Sequence, residues 1–310
     1  MNEKIEVSIV IPVYNEERSI TETLDQLTVI LDAVDRTSEI IVVNDGSTDG
    51  TAGIVRNYDR VLFVDRKHNR GYGYSLKEGI EKARGEWILI ADADGTYPLK
   101  EIPAFMKEMG QFDMIVGERS KDIVHMGILN RLAKLILKEL IYILTYRWII
   151  DINSGFRLFR KEIALKYFNI IPDGFSFTTT VTLISIIEKY RVKYIPIDYH
   201  KRSGKSHIRP VVDFFSFVIL ILRIITYFKP LRFFLPISFA FALGSVFRAV
   251  RDIMVENHIG SLAVILVFVS MQSFFFGLLA DLIVTKFTSH KAVPGSLPPS
   301  DNSDGRADLQ

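Results

Sequence analysis

The stretch Trp87-Ile88-Leu89-Ile90-Ala91-Asp92-Ala93-Asp94-Gly95-Thr96-Tyr97-Pro98 constrains this chain most. Its short, continuous apolar run from Trp87 to Ala91, closed by turn residues, predicts a buried strand. Residues i and i+2 of a strand share a face. Asp92 and Asp94 therefore leave the strand's C-terminal end together, where open α/β sheets bind ligands. Two carboxylates so placed suit Mg²⁺ or Mn²⁺ carried in with a diphosphate. A solvated Asp-rich turn closed by Gly95 and Pro98 has the same local pattern. What distinguishes the two is what other strands bring to that edge.

The chain upstream supplies them. Val7 to Val13 reads as a buried strand that breaks at Pro12 and runs into Tyr14-Asn15-Glu16. A helix follows, capped by Asn15 or Ser19, with Ile20, Leu24, Leu27 and Leu31 on one face. Glu39 to Asn44 is a second strand with Asp45 at its tip. A Gly46 turn comes next, then a helix capped by Ser47 or Asp49. Val61 to Val64 is a third strand, and Asn69-Arg70-Gly71-Tyr72-Gly73-Tyr74-Ser75 is a glycine-bearing loop into a helix. Strands alternating with helices predict an α/β fold, a mostly parallel doubly wound sheet with helices on both faces. Such a sheet gathers Pro12, Tyr14 and Glu16, Asp45, the Gly71 loop, and Asp92 with Asp94 at one edge.

Composition then divides the chain. Its 310 residues leave room for one sizeable domain and something more. The absence of Cys excludes a disulfide framework and a thiolate site. A net charge of +2 gives no ground for nucleic acid as a partner. Mean hydropathy of +0.21 is high for a chain with 24% charged residues, so the apolar excess is concentrated somewhere. It lies in residues 211–287, which are almost continuously apolar. The first apolar run is only strand length, so no secretory signal is predicted at the start.

The expected division is a catalytic domain over 1–209, an interfacial helix over 210–229, a transmembrane hairpin over 230–287 and a disordered tail over 288–310. Pro210 to Phe228 carries Asp213 and Arg223, so it reads as interfacial and ends before Pro230. Leu231 to Phe247 and Ile259 to Ile283 read as spans, joined by a polar link from Arg248 to His258. Lys229, Arg232, Lys286 and Lys291 favour a cytoplasmic face for the main domain, while Arg248 and Arg251 in the link point the other way. Within 126–148, Arg131, Lys134 and Lys138 share one helical face, the pattern of a basic amphipathic helix lying in a membrane interface.

Val-Ile-Pro-Val-Tyr-Asn-Glu (10–16), Val-Asn-Asp-Gly-Ser-Thr-Asp (43–49) and Asp-Ala-Asp (92–94) resemble, in order and spacing, the inverting family 2 glycosyltransferases of the GT-A fold. Gly117-Glu118-Arg119, Asn153-Ser154-Gly155-Phe156-Arg157 and Lys201-Arg202-Ser203-Gly204-Lys205-Ser206-His207 resemble the polyprenyl-phosphate branch, which includes the dolichyl-phosphate mannose and glucose synthases. The likeness covers residues 5–210, and the apolar C-terminal part fits members with a two-helix anchor.

That resemblance implies transfer of one hexose, from UDP-glucose or GDP-mannose, to a dolichyl or undecaprenyl phosphate with inversion. Pro12, Tyr14, Glu16, Asp45 and Asp92 would bind the nucleotide. Asp92 and Asp94 would be the catalytic pair and hold Mg²⁺ or Mn²⁺. Arg119, Arg131, Arg202 and Lys205 would hold the acceptor phosphate; arginine suits bidentate phosphate contacts. The chain departs from many relatives at Thr96, where they have Gln, and at His207, where they have Lys. The first leaves the third metal ligand open. The second would make acceptor binding pH-dependent. The implied partners are a nucleotide sugar, a polyprenyl phosphate and the bilayer of the cell membrane; self-association is left open.

The alternative is a membrane glycosyltransferase with another lipid or glycan acceptor, such as a polysaccharide synthase. Such synthases carry Gln-x-x-Arg-Trp, and Leu144 stands where the Gln would precede Arg147-Trp148. A non-catalytic scaffold would have dispensed with Asp92 or Asp94. A nucleotidyltransferase would want a glycine-rich loop where Pro12-Val13-Tyr14-Asn15-Glu16 stands.

Overall fold

The computed structural model describes residues 4–119, 142, 149, 151–174, 176–199 and 210–289, with backbone only for 210–217, 256 and 287–289. The chain divides into two compact units between Leu220 and Ile221.

The first unit is built on a seven-stranded sheet. In chain order it contains β1 (Val7–Val13), α1 (Ile20–Asp32), β2 (Ser38–Asn44), α2 (Thr51–Val55), β3 (Val61–Asp65), α3 (Tyr72–Lys82) and β4 (Trp87–Ile90). A 3₁₀ turn at Leu99–Glu101 leads into α4 (Ile102–Lys107) and β5 (Met114–Arg119). Then come β6 (Arg157–Arg160), α5 (Lys161–Lys166), α6 (Phe177–Ile187) and β7 (Val192–Ile197). The strand order is β3-β2-β1-β4-β6-β5-β7. The first four strands run parallel, as the alternation of strand and helix predicts. β6 lies antiparallel to both β4 and β5, and β7 returns parallel to β5.

One face of the sheet presents Ile9, Ile11, Val42, Leu89, Leu158 and Ile115 to the buried stripe of α1, namely Ile20, Leu24, Leu27 and Leu31. On the other face α3 comes so close that a Cβ on Gly79 would collide with Val10. Glycine there lets the helix approach the strand.

Two local expectations need correction. β1 does not break at Pro12, which pairs in register with Val43. β4 accompanies β1 only as far as Val10, so beyond it one edge of β1 has no strand needing an N–H. Neither Ser47 nor Asp49 is the N-cap of α2; Gly50 is, and Asp49 accepts the Thr51 N–H at 3.0 Å from one position further out. Ser19 does hold the N-cap of α1, but its hydroxyl donates back to Glu16 Oε2 at 3.0 Å.

The backbone of α7 (Pro210–Phe228) is helical throughout and ends before Pro230, as expected. The second unit holds α8 (Pro230–Glu256) and α9 (Ser261–Ser289). The windows Pro230–Val255 and Ser261–Lys286 are long and apolar enough to cross a membrane, and only 11% of each is buried, unlike the core helix of a soluble body. The helices exceed the predicted spans, because Arg248 to Glu256 is helical rather than a link. An i,i+4 ion pair, Arg248 to Asp252 at 2.9 Å, extends α8, and Asn257 closes it in the left-handed conformation at φ 58°.

The seam between α8 and α9 is made of small residues. Ser238 Oγ donates to the Ser270 carbonyl and Ser270 Oγ to the Ser238 carbonyl, both at 2.9 Å. Gly277 faces Phe234, Gly244 faces Leu266, and Asp252 Oδ2 accepts the Gly260 N–H at 3.1 Å. Phe239, Phe247, Phe268 and Phe275 lie on the exposed faces.

Candidate active site

The C-terminal tips of β1, β2 and β4 carry the predicted residues to one edge of the sheet. Two loops there are sewn together. Asn15, at φ 57°, donates its N–H to Ser47 Oγ at 2.9 Å and accepts the Thr48 N–H at 2.8 Å. The Glu16 N–H donates to Thr51 Oγ1 at 2.9 Å. Tyr14 immediately precedes these ties and is 46% exposed. Pro12 precedes it as the penultimate residue of β1.

Asp45 follows β2 and is only 4% exposed. Its two carboxylate oxygens accept the N–H groups of Arg70 and Gly71, each at 2.8 Å, and Arg66 Nη1 lies 3.1 Å away. Next to it Gly46 has φ +75°, and a Cβ there would meet the His68 backbone at 2.8 Å. The β3–α3 loop is therefore built on Asp45 and Gly46. Arg66 and Arg70 both lie against the ring of Tyr74, at 4.4 and 3.9 Å.

Asp92 and Asp94 follow β4. Tyr72, at the start of α3, donates its hydroxyl to Asp92 Oδ1 at 3.1 Å. Burial, reinforced by the Asp92 charge, raises the Tyr72 phenol well above its ordinary pKa, so it stays a donor. Thr96 donates both its N–H (3.1 Å) and its hydroxyl (2.6 Å) to Asp94 Oδ1. Thr96 is thus a short residue, 1% exposed, folded back onto the Asp94 carboxylate. Between the two acids, the Ala93 carbonyl accepts the buried Thr23 hydroxyl of α1 at 3.1 Å.

Arg119 ends β5. It is gripped by Asp151, which accepts Nε at 2.7 Å and Nη2 at 2.9 Å in a bidentate pair. Burial pushes the Asp151 carboxyl up, but the Arg119 bonds and charge, with the Asn153 N–H, outweigh it and hold the group below the usual carboxylate range. Tyr97 links this pair to Asp92. Its hydroxyl accepts the Gly155 N–H at 2.7 Å, and its ring packs edge-on to Tyr199, over which Arg119 sits at 5.5 Å. Gly155 passes so close to Asp92 that a Cβ would lie 2.8 Å from Oδ2.

The predicted residues Pro12, Tyr14, Glu16, Asp45, Asp92, Asp94 and Arg119 are thus placed on the sheet's C-terminal tips and at the end of β5. Arg131, Arg202 and Lys205, with the basic helix around Arg131, lie outside the described residues. Sequence reasoning did not single out Asp151, Tyr97 or Thr23. Asp151 stands two residues before the Asn153-Ser154-Gly155-Phe156-Arg157 motif, and nothing in the sequence marks Tyr97 or Thr23 as facing the site.

Among the described residues no cluster of three or more His, Cys, Asp or Glu gathers round one point. The described residues therefore offer no complete cage of their own. Two carboxylates completed by substrate oxygens are, however, how Mg²⁺ and similar ions are commonly held beside a diphosphate. The donor set fits a divalent ion that comes with its substrate.

Comparison with known proteins gives the family to which this fold belongs. Residues 8–168 match the profile described as glycosyl transferase family 2, and residues 229–285 match the GtrB C-terminal hairpin. The glucosyl-3-phosphoglycerate synthase of Mycobacterium tuberculosis, solved with Mn²⁺, UDP and glucosyl-3-phosphoglycerate, superposes with a TM-score of 0.53 over 71% of this chain and 79% of that one, at 16% identity. The sheet is that of the GT-A fold. The chain is a glycosyltransferase and belongs to glycosyl transferase family 2. Its curated relatives include the dolichyl-phosphate beta-glucosyltransferases of Homo sapiens (27% identity, 69% of this chain and 72% of that one) and Saccharomyces cerevisiae (25%, 66% and 70%). Another, from Trichomonas vaginalis, is 27% identical over 73% of this chain and 75% of its own length. The two long apolar helices and the hairpin match mark a membrane protein.

Proposed function

We propose that this protein transfers a single hexose from a nucleotide sugar to a polyprenyl phosphate, with glucose from UDP-glucose as the first donor to test. The observation that carries this is the union, in one chain, of a family 2 domain bearing Asp92 and Asp94 at its sheet edge with a GtrB-type membrane hairpin. The names of the relatives favour glucose and a dolichyl-type acceptor. A polyprenyl tail leaves the bilayer at a cost of about 0.8 kcal/mol per CH₂, so the enzyme must come to it.

A phosphate monoester has a second pKa of about 6, so near pH 7 the acceptor is largely dianionic and attacks without a general base. Its oxygen forms a bond to the anomeric carbon. The bond from that carbon to the diphosphate breaks, and the electron pair leaves on the nucleoside diphosphate. In-line displacement inverts the anomeric configuration. Arg119, held by Asp151, would orient the acceptor phosphate, with Arg131, Arg202 and Lys205 as further cations. Tyr14, Glu16, Pro12 and the loop organised by Asp45 would receive the nucleoside, together with Asp92. Asp92 and Asp94 would hold a Mg²⁺ or Mn²⁺ ion, which when bound would offset negative charge on the departing diphosphate. Lys229, Arg232 and Lys286 favour a cytoplasmic catalytic unit in the cell membrane.

The test uses purified full-length protein in detergent with a polyprenyl phosphate, Mg²⁺ or Mn²⁺, and UDP-glucose or GDP-mannose in turn. Lipid-linked glucose that disappears with chelator is the expected product. Lipid-linked mannose would correct the donor, and nucleotide release without a lipid product would refute the acceptor.

A further inference from the structure

Arg157, on β6, is the largest completely buried side chain among the described residues. Among the described residues no carboxylate pairs with it. Its Nε donates to the Ser154 carbonyl at 2.9 Å, and Nη1 donates to the Thr178 carbonyl and to Thr182 Oγ1, both at 2.7 Å. Its Nη2 donates to the Ser154 and Ile152 carbonyls. Burying a charge without an ion partner is costly. What the cost maintains is geometry, because a planar guanidinium is a rigid fork that fixes several acceptors at once.

The acceptors belong to two segments. Thr178 and Thr182 lie on α6, and Ile152 and Ser154 lie in the turn between Asp151 and Gly155. Asn153 Oδ1, in the same turn, accepts the Thr179 hydroxyl of α6 at 2.5 Å. The turn is thus clamped to α6 from one side. From the other side it holds the site. Asp151 grips Arg119 and also accepts the N–H groups of Asn153 and Ser154, at 3.0 and 3.1 Å. Gly155 donates to Tyr97 and packs against Asp92. One short turn therefore touches the carboxylate on the donor side and the guanidinium on the acceptor side.

We infer that Arg157 is a positioning residue: by clamping the turn 151–155 to α6 it sets the placement of Arg119 relative to Asp92. This rests on the reading of Arg119 as a ligand of the acceptor phosphate. Reacting atoms must stand about 3–3.5 Å apart, and a 1 Å misplacement costs about a hundredfold in rate. Lysine keeps the charge but is a single point with no fork, so it cannot hold both segments.

Arg157→Lys in the full-length protein separates position from charge, and Thr182→Val removes one acceptor more gently. Hydrogen exchange is the first readout, because it needs no substrate. In Arg157→Lys, amides of 151–155 and of the end of β5 should exchange about tenfold faster, with those of β1 and β2 unchanged. The second readout is kinetic. We expect kcat to fall about a hundredfold, the acceptor KM to rise, and UDP to bind within about twofold of wild type. Thr182→Val should move the same quantities less. Combining Arg157→Lys with Arg119→Lys should add little to the slower single variant, since both act through one placement. Unchanged exchange over 151–155, or a folded Arg157→Lys with wild-type kcat and acceptor KM, overturns the inference. Multiplicative losses with parallel loss of UDP binding would mark a merely structural role and overturn it too. A wild-type protein that makes no lipid-linked sugar defeats the functional reading instead, and the exchange experiment still decides the role of Arg157.

Discussion

Tyr72 and Asp92 belong to different elements twenty positions apart, yet the tyrosine hydroxyl donates to Asp92 Oδ1 at 3.1 Å and fixes how that carboxylate faces the sheet edge. Tyr72→Phe removes the donor and keeps the ring. A hydrogen bond to a charged group is worth about 1.5–3 kcal/mol. We expect kcat/KM for the donor to drop between about tenfold and a hundredfold, with circular dichroism and thermal midpoint near wild type.

Gly155→Ala tests the crowding beside Asp92. Its Cβ would lie 2.8 Å from Asp92 Oδ2 and 3.1 Å from the Tyr97 hydroxyl. The carboxylate must swing away or the turn must lift. Activity should fall about a hundredfold, and the loss should exceed that of Tyr72→Phe. Steady-state kinetics on the two variants side by side check the order.

Acid should destabilise the catalytic unit through carboxylates far from the site. Burial pushes the Glu39 carboxyl up, but hydrogen bonds from Ser8 and Arg84 and the Arg84 charge outweigh it and hold the group low. Burial likewise pushes Asp113 up, and Arg191 and Arg160 outweigh it and hold it low. A depressed folded pKa means that the unfolded chain binds the proton first as pH falls. The stabilisation is therefore full above the ordinary carboxylate range, about pH 5, and is lost as pH drops through that range toward the lower folded values. Thermal melts from pH 7 to pH 3.5 should show this decline. Glu39→Gln should start about 2 kcal/mol less stable and lose less on acidification.

The hairpin seam admits no larger side chain. A Cβ on Gly277 would lie 2.7 Å from Phe234 Cβ. Gly277→Val should destabilise the hairpin by about 1–3 kcal/mol. Ser238→Ala removes one of two reciprocal bonds and should cost only about 0.6 kcal/mol. Unfolding in mixed micelles ranks them, and a Gly277→Val variant as stable as Ser238→Ala would contradict the packing described.

Much of this was readable beforehand. The runs that became β1, β2, β3 and β4 announce themselves by continuous apolar residues ending in turn signals, and parallel pairing then forces Asp45, Asp92 and Asp94 to one edge. The later strands were not foreseen. β6 is four residues long and has the buried Arg157 at its start, and β7 carries Pro196, which its place at the sheet edge tolerates. The stretch from Arg248 to His258 reads as a polar link, but Asp252 pairs with Arg248 along the helix and accepts the Gly260 N–H just before α9. Asp151 was passed over because its role depends on Arg119, thirty-two positions away, and only the sheet brings them together.

Because Asp45 already satisfies the Arg70 and Gly71 N–H groups, the β3–α3 loop stands ready before any visitor arrives. On the proposed reading, a nucleotide entering there would have no slack chain to tidy. Its affinity would not be diminished by ordering that segment, and its arrival rate should follow encounter rather than rearrangement of this loop.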